Sequence, residues 1–327
     1  MLTKIYRDQN ADLKFLKDKR CLILGYGSQG RAFALNLRDS SIEVEICLKT
    51  DSLSANEARA EGLKVITSEE IDDRYDIILF MIPDHIQGEF YEQYIKNKLK
   101  DNACLVFAHG YSIHFKLIKP PPNADIVLAA PHGPGNDLRQ KFIQGDGISC
   151  YVGVEQNHSG DALDTALAIA KAVGSTRVGA FETTFEHETL GDLFGEQVLL
   201  CGGLAELVTK SYETLVQKGI PEENAYLETA HQIDLLASLL KNYGIHGMTE
   251  RISMTAQYGM LKTEDKIIDE AAEKRLNQIF EKIKAGRFAN EWQNEYRLGL
   301  KNLKEYKDKL KIHPIEIVAE KIKKIIE

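Results

Sequence analysis

The residues best suited to chemistry in the second half of the chain are carboxylates. Asp192 and Glu196 stand four positions apart in Gly191-Asp192-Leu193-Phe194-Gly195-Glu196-Gln197, and Glu228 and Gln232 repeat that spacing. On a helix, residues four apart share a face, so each pair would present its oxygens together. Such donors suit a hard divalent cation. Mg²⁺ is the natural candidate, because no Cys or His cluster has the spacing of a zinc site. Acids at i and i+4 are also ordinary on the wet face of an amphipathic helix, and spacing alone does not separate the two readings. The neighbours Phe194, Val198, Leu199 and Leu200 favour the metal, since solvated acids rarely sit unpaired beside such an apolar surface.

In the first half, Gly25, Gly27 and Gly30 of Gly25-Tyr26-Gly27-Ser28-Gln29-Gly30 match the dinucleotide-binding pattern GxGxxG. The pattern is weak alone, but here it follows the apolar run Cys21-Leu22-Ile23-Leu24 and opens a helical stretch, Arg31 to Arg38. Gly25 would permit the tight turn, Gly27 the approach of a pyrophosphate, and Gly30 close packing of helix on strand. The pyrophosphate would rest on a helix N-terminus, where unpaired N–H groups and the dipole favour an anion. A Gly-rich turn without a ligand is the plain alternative. The next strand ends in Leu48-Lys49-Thr50-Asp51-Ser52-Leu53-Ser54 rather than in the Asp or Glu that usually bonds an NAD ribose. Lys49 with the hydroxyls of Ser52 and Ser54 can hold a 2′-phosphate, against the repulsion of Asp51. NADPH is therefore favoured over NADH.

These groups need elements to position them. Apolar strand candidates at 41–48, 75–82, 103–108, 125–130 and 148–152 alternate with helical stretches such as 159–173. That alternation predicts a mostly parallel sheet with both faces covered. From Phe185 onward the pattern is helical: 188–218, 222–243, 248–258, 267–284 and 315–326. Pro221 and Pro314 sit near predicted helix starts, and the lysine-rich stretch 301–311 reads as a solvated helix face. The expected organisation is an α/β Rossmann-type nucleotide domain over residues 1–183 and an all-α metal, substrate and dimerisation domain over 184–327.

The chain has 327 residues, enough for two domains, and a net charge of −8 that argues against a general nucleic-acid binder. Its apolar runs are too short to span a bilayer, and Met1 to Asp8 lack the apolar core of a signal peptide. The five cysteines form no CxxC pair and read as buried small hydrophobes in a reducing cytoplasm.

Taken in order, Gly25-Tyr26-Gly27-Ser28-Gln29-Gly30, Phe107-Ala108-His109-Gly110, Gly133-Pro134-Gly135, Asp192 to Gln197 with Cys201-Gly202-Gly203, Ala225-Tyr226-Leu227-Glu228, Ile252-Ser253 with Thr255-Ala256, and Gly286-Arg287-Phe288-Ala289 with Trp292 resemble the ketol-acid reductoisomerases, over nearly the whole chain and at the length of the short form. The resemblance implies NADPH and Mg²⁺. It implies alkyl migration within 2-acetolactate or 2-aceto-2-hydroxybutyrate, then reduction of the resulting 2-keto acid, in branched-chain amino-acid biosynthesis. It assigns Asp192 and Glu196 to one Mg²⁺, with Asp192 bridging to a second that Glu228 of a partner subunit would also hold, Gln232 beside it. It gives Ser253 to the substrate carboxylate. His109 would lie near the nicotinamide and the metal waters, and Pro83, Asp84, Gln87 and Gly135 along the cofactor. It also implies a knotted, dimeric helical domain, an exception to the usual absence of knots.

Two active-site positions depart from the family. His132 in Ala130-Pro131-His132-Gly133-Pro134-Gly135 replaces a lysine that helps handle protons, and Gln232 after His231 replaces a glutamate of the second metal site. A cationic His132 beside carboxylates would keep part of the lysine's role, and an amide at 232 weakens a hard-cation site. Smaller changes are Arg31 for a histidine, His85 for an acid and Arg251 for a serine. Three readings stay open: ordinary reductoisomerase activity, a diverged activity on another hydroxy-keto acid, and nucleotide binding without turnover.

Overall fold

The computed structural model describes residues 3–326; Met1 and Leu2 of the N-terminal stretch read above, and Glu327, lie outside it. The chain divides into two compact units, one ending at Gly191 and the other beginning at Asp192.

Among the described residues of the first unit, nine strands form one sheet: β1 (Ile5–Tyr6), β2 (Cys21–Leu24), β3 (Val44–Cys47), β4 (Lys64–Ile66), β5 (Ile77–Phe80), β6 (Cys104–Phe107), β7 (Asp125–Pro131), β8 (Cys150–Gln156) and β9 (Ala180–Glu182). Their order is β1-β9-β8-β7-β6-β5-β2-β3-β4. Pairing is parallel from β4 across to β7. Strand β8 runs antiparallel to β7, and β1 antiparallel to β9, so the sheet is mixed.

The central strands are apolar at every position because both faces are covered. Successive side chains point to opposite faces, and the core divides accordingly. Cys21, Ile23, Ile77, Leu79, Cys104 and Val106 pack on one face with Phe33 and Leu37, whereas Leu22, Leu24, Ile78, Phe80, Leu105 and Phe107 pack on the other with Tyr91 and Phe185. The covering helices are α1 (Ser28–Asp39), α2 (Leu53–Ala60), α3 (Asp84–Phe90), α4 (Tyr111–His114), α5 (Gly135–Ile143) and α6 (Ala162–Ala172). The short strands β1, β4 and β9 escape sequence reading because two or three residues cannot display a period. Cys21, Cys47, Cys104 and Cys150 are buried, whereas Cys201 is exposed. Burial pushes the thiols of Cys21, Cys47 and Cys150 up to about 12, which keeps them protonated and inert.

Helix α7 (Phe185–Gly195) contains the division between the units. The second unit shows no strand among its described residues. It continues through α8 (Gly202–Gln217), α9 (Glu222–Thr229), α10 (Ile233–Thr249), α11 (Met254–Thr263), α12 (Glu270–Lys284), α13 (Arg287–Arg297), α14 (Lys301–Lys311) and α15 (Pro314–Ile326). Three expected helices prove to be broken, and one of them, 222–243, parts at residues 230–232 between α9 and α10. The stretch 188–218 passes through a π-helical segment, Glu196–Leu200, and turns at Cys201 before α8. A Cβ on Gly203 would lie 1.9 Å from the Val198 carbonyl oxygen, so the Gly202-Gly203 pair is what lets α8 start so close to the π turn. The expected helix 248–258 straddles a real break: α10 ends at Thr249, and the Ser253 hydroxyl caps α11 by accepting from the Ala256 N–H. Pro221 precedes α9 and Pro314 opens α15. No helix among the described residues is long and apolar enough to cross a membrane.

Candidate functional site

In a doubly wound sheet, ligands bind where the strand order reverses, beyond the carboxyl ends of the strands. Here β2 lies between β3 and β5, and their following loops flank that point. Gly25, leaving β2, has φ +97°, and a Cβ there would lie 2.9 Å from Ile82 Cγ2 and 3.0 Å from the Met81 oxygen. The loops after β2 and β5 therefore touch, and only glycine permits it. Gly27 is exposed and has open space where a Cβ would be, on the approach to the first N–H groups of α1. The distant Gly133-Pro134-Gly135 segment closes the other side. Gln29 Nε2 donates to the Gly133 carbonyl (2.7 Å), and a Cβ on Gly135 would lie 2.1 Å from the Ser28 oxygen. The result is a backbone cradle at a helix N-terminus, which fits a dinucleotide pyrophosphate.

At the end of β3, Lys49 is exposed and its carbonyl accepts from Ser52 Oγ (2.9 Å). Ser52 in turn caps α2, accepting from the Ala55 N–H at 3.2 Å. Ser54 lies in the first turn of α2, half-buried. The far end of α2 is tied back to the glycine loop through a network that sequence reading missed. Tyr26 Oη donates to Glu61 Oε2 (2.5 Å), and Arg31 grips both carboxylate oxygens of Glu61, with Nε at 3.0 Å. The hydrogen bond from Arg31, with help from Tyr26, holds the Glu61 carboxyl below the usual carboxylate range despite partial burial. Arg31, which departs from the family's histidine, is thus committed to this network.

His109 follows β6, and its Nδ1 lies 3.2 Å from Asp84 Oδ2. The other Asp84 oxygen accepts from Gln87 Nε2 (3.2 Å). The next backbone N–H, that of Gly110, donates to Glu188 Oε2 at 2.7 Å. Glu188 is buried and was not singled out in the sequence, although it extends the i, i+4 spacing of Asp192 and Glu196 by one step. His85, after Asp84, is held below the ordinary histidine pKa by burial. His132 is exposed, with Nδ1 3.0 Å from Ser149 Oγ and its ring edge-on to Tyr151.

In the second unit Asp192 lies on α7, and Glu196 is the first residue of the π-helical segment. π turns inside helices recur at functional sites. Both acids are exposed in the single chain, as are Leu199 and Leu200 at 64% and 65%, so the apolar neighbours do not bury them as the sequence suggested. Glu228 lies in the last turn of α9, and Gln232 Nε2 reaches its Oε2 at 3.4 Å while donating to the Leu227 carbonyl at 3.0 Å. The amide therefore supports Glu228 and does not add to its charge. Among the described residues, no three His, Cys, Asp or Glu side chains gather at metal-holding range. The donors are all oxygen, which fits Mg²⁺ chemistry. Ser253 caps α11, and Arg251, replacing the family's serine, stacks over Tyr243 at 3.7 Å.

Residues 15–179 match the family model described as acetohydroxy acid isomeroreductase, NADPH-binding domain, and residues 185–327 match the ketol-acid reductoisomerase C-terminal domain. The chain is 43% identical to the ketol-acid reductoisomerase (NADP(+)) of Pyrobaculum arsenaticum over 325 residues, 99% of each chain. It is 41% identical to the ketol-acid reductoisomerase (NAD(P)(+)) of Metallosphaera sedula, over 100% of this chain and 97% of that one. Its structure superposes on that of an NADH-preferring ketol-acid reductoisomerase from an uncultured archean with a TM-score of 0.94, 39% identity and 98% coverage of both chains. With both halves matched and full-length relatives above 40% identity, the chain belongs to the ketol-acid reductoisomerase family, in its short form.

Proposed function

We propose that the protein is an NADPH- and Mg²⁺-dependent ketol-acid reductoisomerase acting on 2-acetolactate-type acetohydroxy acids. Residues 1–183 would form the nucleotide domain and 184–327 the metal, substrate and dimerisation domain. The observation that carries this reading is the backbone cradle at the strand-order reversal, in a chain that matches the family from end to end. Lys49 with Ser52 and Ser54 at the start of α2 supports NADPH, since a cation and hydroxyls there suit a 2′-phosphate, against the repulsion of Asp51. Asp192 and Glu196 would hold the first Mg²⁺, with Glu228 and Gln232 serving the second. Bound there, the ions supply Lewis-acid polarisation of the substrate ketone. Ser253 would bind the substrate carboxylate, and Gly25 to Gly30, with Gly135, would orient the cofactor. His109 and His132 would take and return protons.

Exposed apolar side chains on the helical unit, among them Leu200, Leu235, Ile245 and Met254, support a homodimer in which each site borrows Glu228 from the partner. Five free thiols, four of them buried, fit a cytoplasmic protein.

A second reading is favoured by Gln232 and His132. An amide at 232 leaves the second ion with less charge, and a histidine at 132 hydrogen-bonds Ser149 where the family has a longer amine. Reduction of a preformed 2-keto-3-hydroxy acid should then outlast isomerisation of 2-acetolactate. The test compares both half-reactions across Mg²⁺ concentrations, in the natural protein and in Gln232→Glu/His132→Lys. Restored isomerisation and tighter second-ion binding in the double variant would support divergence. Isomerisation already as fast as reduction, with two ions tightly bound, would leave the ordinary activity standing. NADPH binding with no turnover of any keto or acetohydroxy acid would reduce the protein to a nucleotide-binding one.

A further inference from the structure

Strands β5 and β6 are neighbours and end level, with Phe80 opposite Phe107. Their outgoing chains therefore place Asp84 beside His109, 25 residues apart in sequence, with Nδ1 and Oδ2 at 3.2 Å. Asp84 is itself held. Its Oδ1 accepts from Gln87 Nε2 at 3.2 Å, and that same nitrogen donates to the Ile82 carbonyl at 2.9 Å. Gln87 Oε1 accepts from Ser112 Oγ at 2.7 Å. Gln87 is 3% exposed and Ser112 is fully buried, so the amide of Gln87 has its nitrogen and oxygen fixed by two partners. On the other side of His109, Glu188 fixes the Gly110 N–H.

A carboxylate only accepts hydrogen bonds. Asp84 can therefore face a neutral His109 favourably only if the ring carries its single proton on Nδ1, which leaves Nε2 as the proton-accepting edge. We propose that Asp84 is the positioning residue for His109, holding it in the Nδ1–H tautomer, and that Ser112 and Gln87 in turn fix the orientation of Asp84. This rests on the reading of His109 as a catalytic residue. It gives Asp84 and Gln87 a role different from the cofactor contact expected from the sequence.

The fixed donor on Gln87 makes Asp84→Asn informative. The new amide must turn its oxygen to Gln87, so its NH₂ faces His109 Nδ1. A donor there demands a lone pair on Nδ1 and moves the ring proton to Nε2. The experiment uses ¹⁵N-histidine-labelled protein at about pH 8.5, where an ordinary imidazole is neutral, with the His109 signals assigned by their loss in His109→Gln. The natural protein should show the Nδ1–H tautomer, and Asp84→Asn the Nε2–H tautomer. In steady-state assays kcat of Asp84→Asn should fall between about 10- and 100-fold, with the KM for the nicotinamide cofactor within about twofold of its original value. An Nε2–H tautomer in the natural protein overturns the proposal, even if the variant does not fold. A raised cofactor KM at unchanged kcat and tautomer also overturns it and makes Asp84 a cofactor contact. Absence of acetohydroxy-acid turnover in the natural protein would instead defeat the function reading, because the tautomers are read without activity.

Discussion

On the proposed reading, single side chains at the start of α2 would decide which nicotinamide cofactor fits. Ser52 is both a helix cap and a candidate phosphate contact, and Asp is as good a cap as Ser. Ser52→Asp with Ser54→Asp should therefore leave α2 folded while placing two negative charges where a 2′-phosphate would sit. NADPH should bind the natural protein more tightly than NADH, and the double variant should reverse the order. The NADPH dissociation constant should rise at least tenfold, about 1.4 kcal/mol. Fluorescence titration of both cofactors checks this; equal affinities in the natural protein would sink the assignment. The likeness to an NADH-preferring structure and to an NAD(P)-using relative makes the measurement worthwhile, because the family accommodates both cofactors on one fold.

Among elements, the join between the glycine loop and α2 depends on Glu61. Its carboxyl is lowered first by the hydrogen bond from Arg31 and then by that from Tyr26. A group whose folded pKa is depressed contributes stability that is fully present above its unfolded value and is lost as pH falls through the folded one. Glu61→Gln should therefore cost stability at neutral pH, and the gap should close on acidification below the ordinary carboxylate pKa of about 4.3. The Arg31 and Glu61 side chains are 39% and 27% exposed, so solvent screening limits the gap to about 1 kcal/mol. Urea midpoints of the two proteins at a series of pH values test the sign; a gap that widens on acidification contradicts it. None of this network is legible locally. Tyr26 and Glu61 lie 35 residues apart and meet because β3 and α2 fold beside the loop after β2.

For the whole molecule, the question is which chain completes each site. If Asp192 comes from one subunit and Glu228 from its partner, Asp192→Asn and Glu228→Gln should each be inactive alone. Coexpressed, they should recover about one quarter of the natural activity, since half the dimers would be mixed and each would hold one intact site. A site built within one chain would recover none. Activity of the separated and coexpressed proteins decides between the two, and light scattering should find no active monomer.

The sequence by itself determined the division of the chain into a half where strands and helices alternate and a helical half, because short apolar runs and the 3.6-residue period are local properties. It likewise showed the strand–glycine-turn–helix unit around Gly25 and the spacing of the carboxylates Asp192, Glu196 and Glu228, which are matters of residue type and near-neighbour position. It did not determine which separated segments meet. The placement of Asp84 against His109, of Gly135 against Ser28 and of Glu188 against Gly110 follows from the order and register of β2, β5, β6 and β7 and the turns after them. Nor did it reveal the π turn at Glu196, since a wide turn keeps the composition of the helix around it. Continuous apolar strands such as Cys21–Leu24 and Ile77–Phe80 are interchangeable as patterns. Only packing on both faces of the assembled sheet selects one order among them, and with it the site.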